Sequence, residues 1–281
     1  MTMSDSYSSV VKTAQEYYDS DDADNFYYHV WGGEDIHVGL YEIPEEDIAN
    51  ASQRTVATMA AQCASTLTPQ TKIIDLGSGY GGSARWLTKK HNCHAMCLNL
   101  SETQNRRNRL MNDDQGLADR IEVVEGNFEE IPADDQQFDL AWSQDAILHS
   151  GRREKVLDEV NRVLKPGGEF IFTDPMQADD VPEGVLEPVL NRIHLNSLGS
   201  FEFYRQQALR LGWEEVAVTD HSPQLVNHYT RVRQELAKRR EELVGKVSED
   251  YIDRMVQGLG HWIDAGRNGH LAWGIMHFRK K

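Results

Sequence analysis

The chain has 281 residues, and its 40% hydrophobic content is sufficient for a complete hydrophobic core. Its 45 acidic and 29 basic residues give a net charge of -16, and this excess of carboxylates argues against nucleic acid or an anionic membrane as a partner. The odd number of cysteines, three, and the lack of an apolar run of about 18 residues predict a cytoplasmic protein with a small-molecule partner, not a secreted disulfide scaffold or a membrane protein.

The first half of the chain begins with a polar segment and continues with alternating strands and helices. A helical pattern runs over residues 51–67, after an aromatic cluster at residues 26–31. Short apolar strands that alternate with amphipathic helices predict a parallel sheet covered by helices on both faces. The predicted strands are 72–76, 95–99, 121–125, 138–143 and 169–174, and the predicted helices are 82–91, 101–111 and 153–164.

The alternation stops after Pro175, where a polar insertion begins. We therefore divide the chain into an N-terminal helical lid segment, 1–54, and one α/β domain, 55–281. The core of this domain is 72–174, its substrate-side insertion is about 176–211, and closing strands and helices follow to 281. The predicted elements after the core are helices at 186–198, 203–211, 229–247 and 249–265 and strands at 215–219 and 271–279.

The segment IIDLGSGYGG, residues 73–82, is a predicted strand followed by a glycine-rich turn into a helix. Such turns bind nucleotides because backbone N–H groups point outward and no Cβ atom blocks the ligand. Gly77, Gly79 and Gly82 fit the dinucleotide fingerprint G-x-G-x-x-G, which is a weak signal when it stands alone. The first two of these glycines, together with Gly81, also fit a turn that binds a cationic sulfonium cofactor.

Asp75 distinguishes the two ligands, because it ends the strand just before the glycines. Its carboxylate would repel a pyrophosphate and attract the ammonium and sulfonium groups of S-adenosylmethionine. A dinucleotide site expects an acid about 20 residues further on, but Asn99 stands there. Asn127 and Phe128, after the third strand, offer an amide and a ring for the adenine base. The sequence therefore favours S-adenosylmethionine over a nicotinamide dinucleotide.

These segments and the later stretch RVLKPGGEFIFTDP resemble class I S-adenosylmethionine-dependent methyltransferases over residues 72–174. The resemblance implies a Rossmann-like, seven-stranded sheet whose last strand is antiparallel. It also implies that the glycine turn holds the methionine end of the cofactor, that Asn99 and Leu100 hold the ribose, and that the segment after the third strand holds the adenine. The predicted cofactor residues are Arg54, Asp75, Gly77, Gly79, Gly81, Asn99, Leu100, Gln104, Asn127, Phe128, Ser143 and Gln144.

The segment WSQDAILH follows the fourth strand, at the edge of the sheet where ligands of open α/β sheets bind. Asp145 and His149 are four residues apart, so on a helix they share one face. A carboxylate that orients an imidazole forms a general base or an amine-binding pair. The alternative is that His149 caps the following turn and that Asp145 is solvated.

This segment also resembles small-amine N-methyltransferases, namely the phosphoethanolamine enzymes and, more closely, the sarcosine/dimethylglycine N-methyltransferases that make glycine betaine. The second resemblance covers nearly the whole chain, including the closing stretch GLGHWIDAGRNGHLAWGIMHFRK. In the phosphoethanolamine enzymes an N-terminal tyrosine pairs with the histidine of D-x-x-x-H, and Tyr27 is the best counterpart, followed by Tyr28. The implied catalytic residues are Tyr27, Asp145 and His149.

An amino-acid substrate also needs a cation for its carboxylate and aromatic faces for its methylated nitrogen. Arginines of the insertion supply the cation, and aromatic residues of the N-terminal segment, the insertion and the long helix after it supply the faces. The function predicted is methylation of sarcosine and/or dimethylglycine to betaine, an osmolyte, and the acidic surface fits a cell under salt stress. The predicted substrate-binding residues are Tyr28, Trp31, Arg192, Tyr204, Arg205 and Tyr229, with Tyr27 also facing the amine.

Three alternative interpretations are less well supported by the residues present. A phosphoethanolamine substrate calls for more Lys, Arg and Tyr than residues 176–230 contain, and a non-catalytic cofactor-binding module has no need of the Asp145 and His149 pair. Metal ligands are suggested by Cys93, His94 and Cys97. A buried strand sends alternate side chains to opposite faces, however, so no metal site is predicted.

Overall fold

A computed structural model describes residues 9–193 and 195–281, with the side chains of residues 9, 10, 14 and 192 outside the description. The strands are β1 (Lys72–Leu76), β2 (His94–Asn99), β3 (Ile121–Glu125), β4 (Phe138–Gln144), β5 (Leu164–Thr173), β6 (Met176–Gln177), β7 (Glu214–Asp220), β8 (Leu271–Ala272) and β9 (Gly274–Arg279). The helices are α1 (Ser9–Asp19), α2 (Asp21–Phe26), α3 (Ile48–Gln62), α4 (Gly82–His91), α5 (Glu102–Asp114), α6 (Arg153–Val163), α7 (Glu187–Arg192), α8 (Phe201–Arg210), α9 (Ser222–Lys238), α10 (Arg240–Leu243) and α11 (Glu249–Arg267), with a π-helical turn at Tyr27–Trp31 and a 3₁₀ turn at Ile147–His149.

The main sheet has seven strands in the order β3-β2-β1-β4-β5-β9-β7. Strands β1 to β5 run parallel, and β9 is antiparallel to both of its neighbours. The predicted fold class and its antiparallel last strand are therefore confirmed. The chain order reverses between β1 and β4, and this reversal opens a crevice at the carboxyl edge of the strands, where ligands of such sheets bind.

The sheet separates two hydrophobic cores, because successive side chains of a strand point to opposite faces. Ile73 of β1 belongs to one core and Ile74 to the other. Strands β1 and β4 are apolar on both faces, as expected for central strands of a covered parallel sheet. No helix in the described part of the chain is long and apolar enough to span a bilayer.

Several predicted boundaries differ from those observed. Strand β5 begins at Leu164, not at residue 169, because Leu164 pairs with Phe138 ahead of a register shift. The predicted helix at 229–247 begins at Ser222, whose backbone N–H donates to the Asp220 carboxylate, and it ends at Lys238. The insertion helix predicted at 186–198 covers only Glu187–Arg192.

Two further differences arise from local hydrogen bonding. Helix α3 begins at Ile48, not at residue 51, because the Asp47 side chain accepts from the backbone N–H groups of Ala49 and Asn50. The division placed after residue 54 falls inside this helix. The predicted last strand is divided in two, because Leu271–Ala272 pairs with Met176–Gln177 as a separate small sheet.

Candidate active site

A narrow cleft of about 70 Å³ lies at the carboxyl edge of β1, β2 and β4. Carboxyl ends of parallel strands meet at one edge, so residues far apart in the chain lie side by side there. Eight of the residues predicted to bind the cofactor line this cleft: Gly77, Gly79, Asn99, Leu100, Gln104, Asn127, Phe128 and Gln144.

The glycine turn has the backbone that its sequence predicts. Gly77 and Gly79 have φ angles of 71° and 52°, in the left-handed region that favours glycine. A Cβ atom on Gly77 would collide with the Cβ of Ala146. Gly81, also left-handed, does not line the cleft and is the N-cap residue of α4, with the Asn108 amide packed against it. It therefore shapes the turn from outside the cleft.

Two glutamine amides keep donors available at the cleft. The Gln104 Oε1 atom accepts from Asn99 Nδ2 at 3.0 Å, and the Gln144 Oε1 atom accepts from Trp142 Nε1 at 2.9 Å. The Nε2 atoms of both glutamines are buried and have no hydrogen-bond partner among the described residues. Buried donors of this kind need an acceptor, which a ligand oxygen or a water supplies. Ser143 lies deeper, where its hydroxyl donates to the Leu76 carbonyl.

Asp75 lies beneath the glycine turn, is 4% exposed and does not line the cleft. Burial raises the pKa of its carboxyl to about 7; His37 opposes this shift, Asp35 adds to it, and Arg85 opposes it. The Oδ1 atom of Asp35 and the Nε2 atom of His37 are buried and lie 3.5 Å apart, as an ion pair when His37 is protonated. A cation held at the turn would favour the ionised form of Asp75.

A larger cavity of about 790 Å³ adjoins the cleft and shares Tyr18, Ile36, Asp145 and His149 with it. Aromatic side chains dominate its wall. Three of them, Tyr27, Trp31 and Tyr229, are among the predicted catalytic or substrate-binding residues. The others are Tyr17, Tyr18, Tyr251 and Trp262.

His149 faces a tyrosine of the N-terminal helix α1. Its Nε2 atom is hydrogen-bonded to the Tyr18 hydroxyl at 2.9 Å, and the two rings meet edge to face. The tyrosine that the prediction placed at this histidine was Tyr27, with Tyr28 next. The Tyr27 hydroxyl instead lies 3.3 Å from the Tyr17 hydroxyl. Tyr18 therefore replaces Tyr27 as the candidate partner of His149.

Asp145 does not orient His149 through a helical face, so that part of the prediction is wrong. Its φ of 53° turns the chain away from a helix at the end of β4. Its carboxylate accepts from the Val38 backbone N–H at 2.6 Å and from the Thr173 hydroxyl and Trp273 Nε1, each at 2.8 Å. Asp145 therefore ties the N-terminal loop and β5 together at the border of the cleft and the cavity.

Tyr204, predicted to bind the substrate, lines neither the cavity nor the cleft. Its hydroxyl donates to the Asp174 carboxylate at 2.7 Å, and the same carboxylate accepts from the Leu148 backbone N–H at 2.9 Å. Burial raises the pKa of Asp174 to about 7, while Tyr204 opposes this shift. Tyr204 and Asp174 thus hold the turn that carries His149.

Two of the three predicted arginines, Arg54 and Arg205, do not reach the site, because carboxylates elsewhere bind them. Arg54, predicted at the cofactor, forms a two-bond pair with Glu46 at 2.6 and 2.7 Å. Arg205, predicted at the substrate, pairs with Glu215 at 3.0 Å on the surface. Arg192 lies on α7, but its side chain is outside the described part of the structure.

Tyr28 also points elsewhere. The Arg107 guanidinium lies 4.6 Å above the centre of its ring, and the Tyr80 ring meets it edge to face. Sequence reasoning missed four of the aromatic residues in the cavity wall. One signal was present, because Tyr251, Met255 and Trp262 recur at helical spacing on the cavity side of α11.

The chain is similar to known methyltransferases along almost its whole length. A family model described as a methyltransferase domain matches residues 74–172. The sarcosine/dimethylglycine N-methyltransferase of Aphanothece halophytica is 56% identical over 96% of this chain and 98% of its own. The enzyme of the same name from Halorhodospira halochloris is 56% identical over 96% of each chain.

Solved structures agree with these relatives. A crystal structure from Galdieria sulphuraria, provisionally assigned as a sarcosine dimethylglycine methyltransferase, has a TM-score of 0.90 and 46% identity, and the match covers 94% of this chain and 99% of that one. Structures that are less than 25% identical, such as a phosphoethanolamine N-methyltransferase from Haemonchus contortus with a TM-score of 0.82, share the fold. The chain therefore belongs to the sarcosine/dimethylglycine N-methyltransferase family of S-adenosylmethionine-dependent enzymes.

Proposed function

We propose that this enzyme methylates the nitrogen of sarcosine and of N,N-dimethylglycine, and that the final product is glycine betaine. The observation that carries the proposal is the junction of an aromatic cavity with the cofactor cleft at Tyr18 and His149. A small amine in the cavity reaches the cleft at this junction. The names of relatives that are 49–56% identical support the same acceptors.

The residues that line the cleft suit S-adenosylmethionine, which supplies an electrophilic methyl group when it is bound. The cofactor is larger than about 70 Å³, so the cleft must widen when the cofactor binds. We assign the methionine end to the glycine turn above Asp75, the ribose to Asn99 and Gln104, and the adenine to Asn127 and Phe128. The buried carboxylate complements the positive charge of the cofactor, and the unpaired amide donor of Gln104 matches a ribose oxygen.

The acceptor nitrogen must present a free lone pair about 3 Å from the methyl carbon. An alkyl ammonium with a pKa near 10 is mostly protonated at neutral pH, and removal of its proton costs roughly 3–4 kcal/mol. We assign His149 as the group that accepts this proton and Tyr18 as the group that orients its imidazole ring. The nitrogen lone pair then forms the new N–C bond while the C–S bond breaks, and the positive charge moves from sulfur to nitrogen.

The aromatic wall suits the charge that the reaction creates on nitrogen. A quaternary ammonium has no N–H to donate, so it is held by aromatic faces, at about 0.5–2 kcal/mol for each well-placed ring. One continuous edge of the cavity is formed by Tyr27, Trp31 and Tyr229. The ring centres of Tyr27 and Trp31 are 5.1 Å apart, and those of Trp31 and Tyr229 are 5.8 Å apart. We assign these three rings to the methylated nitrogen.

The cytoplasm is the compartment that we propose, because Cys63, Cys93 and Cys97 are free, buried thiols. Betaine is an osmolyte, and the net charge of -16 fits a protein that stays soluble in a salty cytoplasm.

The proposal is tested by incubating the purified chain with S-adenosylmethionine labelled in its methyl group and with one acceptor at a time. The acceptors are glycine, sarcosine, dimethylglycine and phosphoethanolamine. We expect labelled dimethylglycine from sarcosine and labelled betaine from dimethylglycine, each identified by chromatography. If neither sarcosine nor dimethylglycine accepts the label, the proposed acceptors are wrong.

A further inference from the structure

We propose that Arg254 of α11 binds the carboxylate of the amino-acid substrate and so selects amines that carry a carboxylate. This inference rests on the proposed function and names a residue that the sequence did not suggest. It replaces Arg205, which pairs with Glu215 on the surface.

The orientation of the substrate follows from the positions of the cleft and the cavity. The nitrogen must face the cleft, so it lies at the side of the cavity that borders the cleft, near Tyr18 and His149. The carboxylate therefore points away from the cleft, toward residues that line the cavity alone and are not assigned to the nitrogen. Arg254 is one of these residues, together with its helix neighbours Tyr251 and Met255.

A positive charge distinguishes Arg254 from the other residues on this side of the cavity. Among the described side chains that line the cavity it is the one lysine or arginine, and the acids are Asp21, Asp22 and Asp145. Asp145 is bound by three donors, and Asp22 accepts from the backbone N–H of Ser248 at 2.7 Å and from its hydroxyl at 2.5 Å. Arg254 is thus the described cation available for a substrate carboxylate.

Arg254 also differs from most arginines of this acidic chain, which bind carboxylates or backbone carbonyls. Arg240, on the neighbouring helix α10, pairs with both Glu249 and Asp253. Arg254 follows Asp253 directly, yet it has no ion pair or hydrogen bond within the described residues, and it is exposed at the cavity wall. Its guanidinium offers the planar fork of donors that matches a carboxylate.

Two acceptors with the same amine, one with and one without a carboxylate, separate carboxylate binding by Arg254 from a general effect on the reaction. Dimethylglycine and N,N-dimethylethanolamine carry the same dimethylamine, but the second has a hydroxyl in place of the carboxylate. For Arg254→Gln we expect KM for dimethylglycine to rise about 10- to 100-fold, the effect of a lost charge-assisted hydrogen bond, with little change in kcat. We expect kcat/KM for dimethylethanolamine to stay at the wild-type value.

Arg267→Gln is the matched control, because Arg267 is an exposed arginine in the last turn of the same helix and does not line the cavity. Its KM for dimethylglycine should equal that of the wild type. Arg254→Lys keeps the charge without the fork, so its KM should lie between those of the wild type and Arg254→Gln. The inference is overturned if Arg254→Gln has the KM of the Arg267 control, or if it impairs both acceptors equally. Wild-type turnover of dimethylglycine tests the proposed function separately from these ratios.

Discussion

The cleft and the larger cavity share an edge but are built differently. The predicted residues that line the cleft come from strand ends, the turns after them and the first turn of α5, between Gly77 and Gln144. The cavity is formed by side chains from both ends of the chain, such as Tyr17 and Tyr251, whose hydroxyls are hydrogen-bonded at 2.9 Å. In the proposed assignment the sheet edge thus holds the cofactor, whereas packed helices hold the acceptor.

This difference implies separable functions. Changes to the cleft should weaken cofactor binding with every acceptor, whereas changes to the cavity should alter turnover of particular acceptors and leave the cofactor bound. Residues at the border, above all Tyr18 and His149, should affect the reaction more than either binding step.

The largest effect is expected for His149→Ala, which removes the proposed proton acceptor at the border. We expect kcat for dimethylglycine to fall about 10²- to 10⁴-fold, the usual contribution of a general base. Affinity for S-adenosylhomocysteine, measured by calorimetry, should remain close to that of the wild type. Tyr18→Phe keeps the ring and removes the hydroxyl bound to Nε2, so it should lower kcat by a smaller factor.

The double variant should be less impaired than the product of the two single effects, because the two side chains act as a unit. His261→Ala is the control, since His261 is a half-buried histidine of α11 that lines neither the cleft nor the cavity. An unchanged kcat in His149→Ala would remove this residue from the mechanism.

The next effect concerns the cleft alone. Gly77→Ala places a Cβ at a left-handed backbone position and against Ala146, so it should lower the free energy of unfolding by about 2–5 kcal/mol and weaken cofactor binding. Gly167→Ala is the control, because Gly167 has a φ of 78° with open space around it, and it should cost about 1–2 kcal/mol. Urea denaturation and cofactor titration measure both quantities.

Adding Ala146→Gly to Gly77→Ala should recover the part of the loss that comes from the collision. Equal costs for Gly77→Ala and Gly167→Ala would show that the collision does not matter.

The smallest expected effect is electrostatic. The Asp75 carboxyl has a pKa of about 7 in the ligand-free protein, and its ionised form attracts the cationic cofactor. As the pH falls below 7, affinity for S-adenosylmethionine should decrease about tenfold for each pH unit, because the carboxyl must lose a proton to bind. Calorimetry between pH 5.5 and 8 measures this slope. Asp75→Asn should bind about tenfold more weakly at pH 8 and lose that pH dependence.

The raised pKa of Asp75 predicts the opposite pH dependence for the stability of the ligand-free protein. Its folded pKa lies above its unfolded value of 3.8, so its favourable contribution is present below that value and is lost as the pH rises toward 7. Ligand-free Asp75→Asn should therefore gain stability relative to the wild type between those pH values. A constant difference in the free energy of unfolding across this range would contradict the raised pKa.

Much of the cleft could be predicted because its signals are local. Strand, glycine turn and helix follow one another in the chain. A parallel sheet brings the carboxyl ends of its strands to one edge, so Gly77, Asn99 and Asn127 lie close together as soon as the sheet forms. Arg54 was placed wrongly because a side chain that reaches outward binds whichever acid lies nearest, here Glu46.

The sequence alone determined the fold class, the family and the cofactor. Tertiary structure decided which tyrosine meets His149, which aromatic rings share the cavity and where the Asp145 carboxylate points. The physical reason is that strand order and turn chemistry follow from short-range patterns, whereas the face that a helix presents depends on its packing partners. Tyr18 and Trp262 are thus joined in one cavity wall by the packing of the whole molecule.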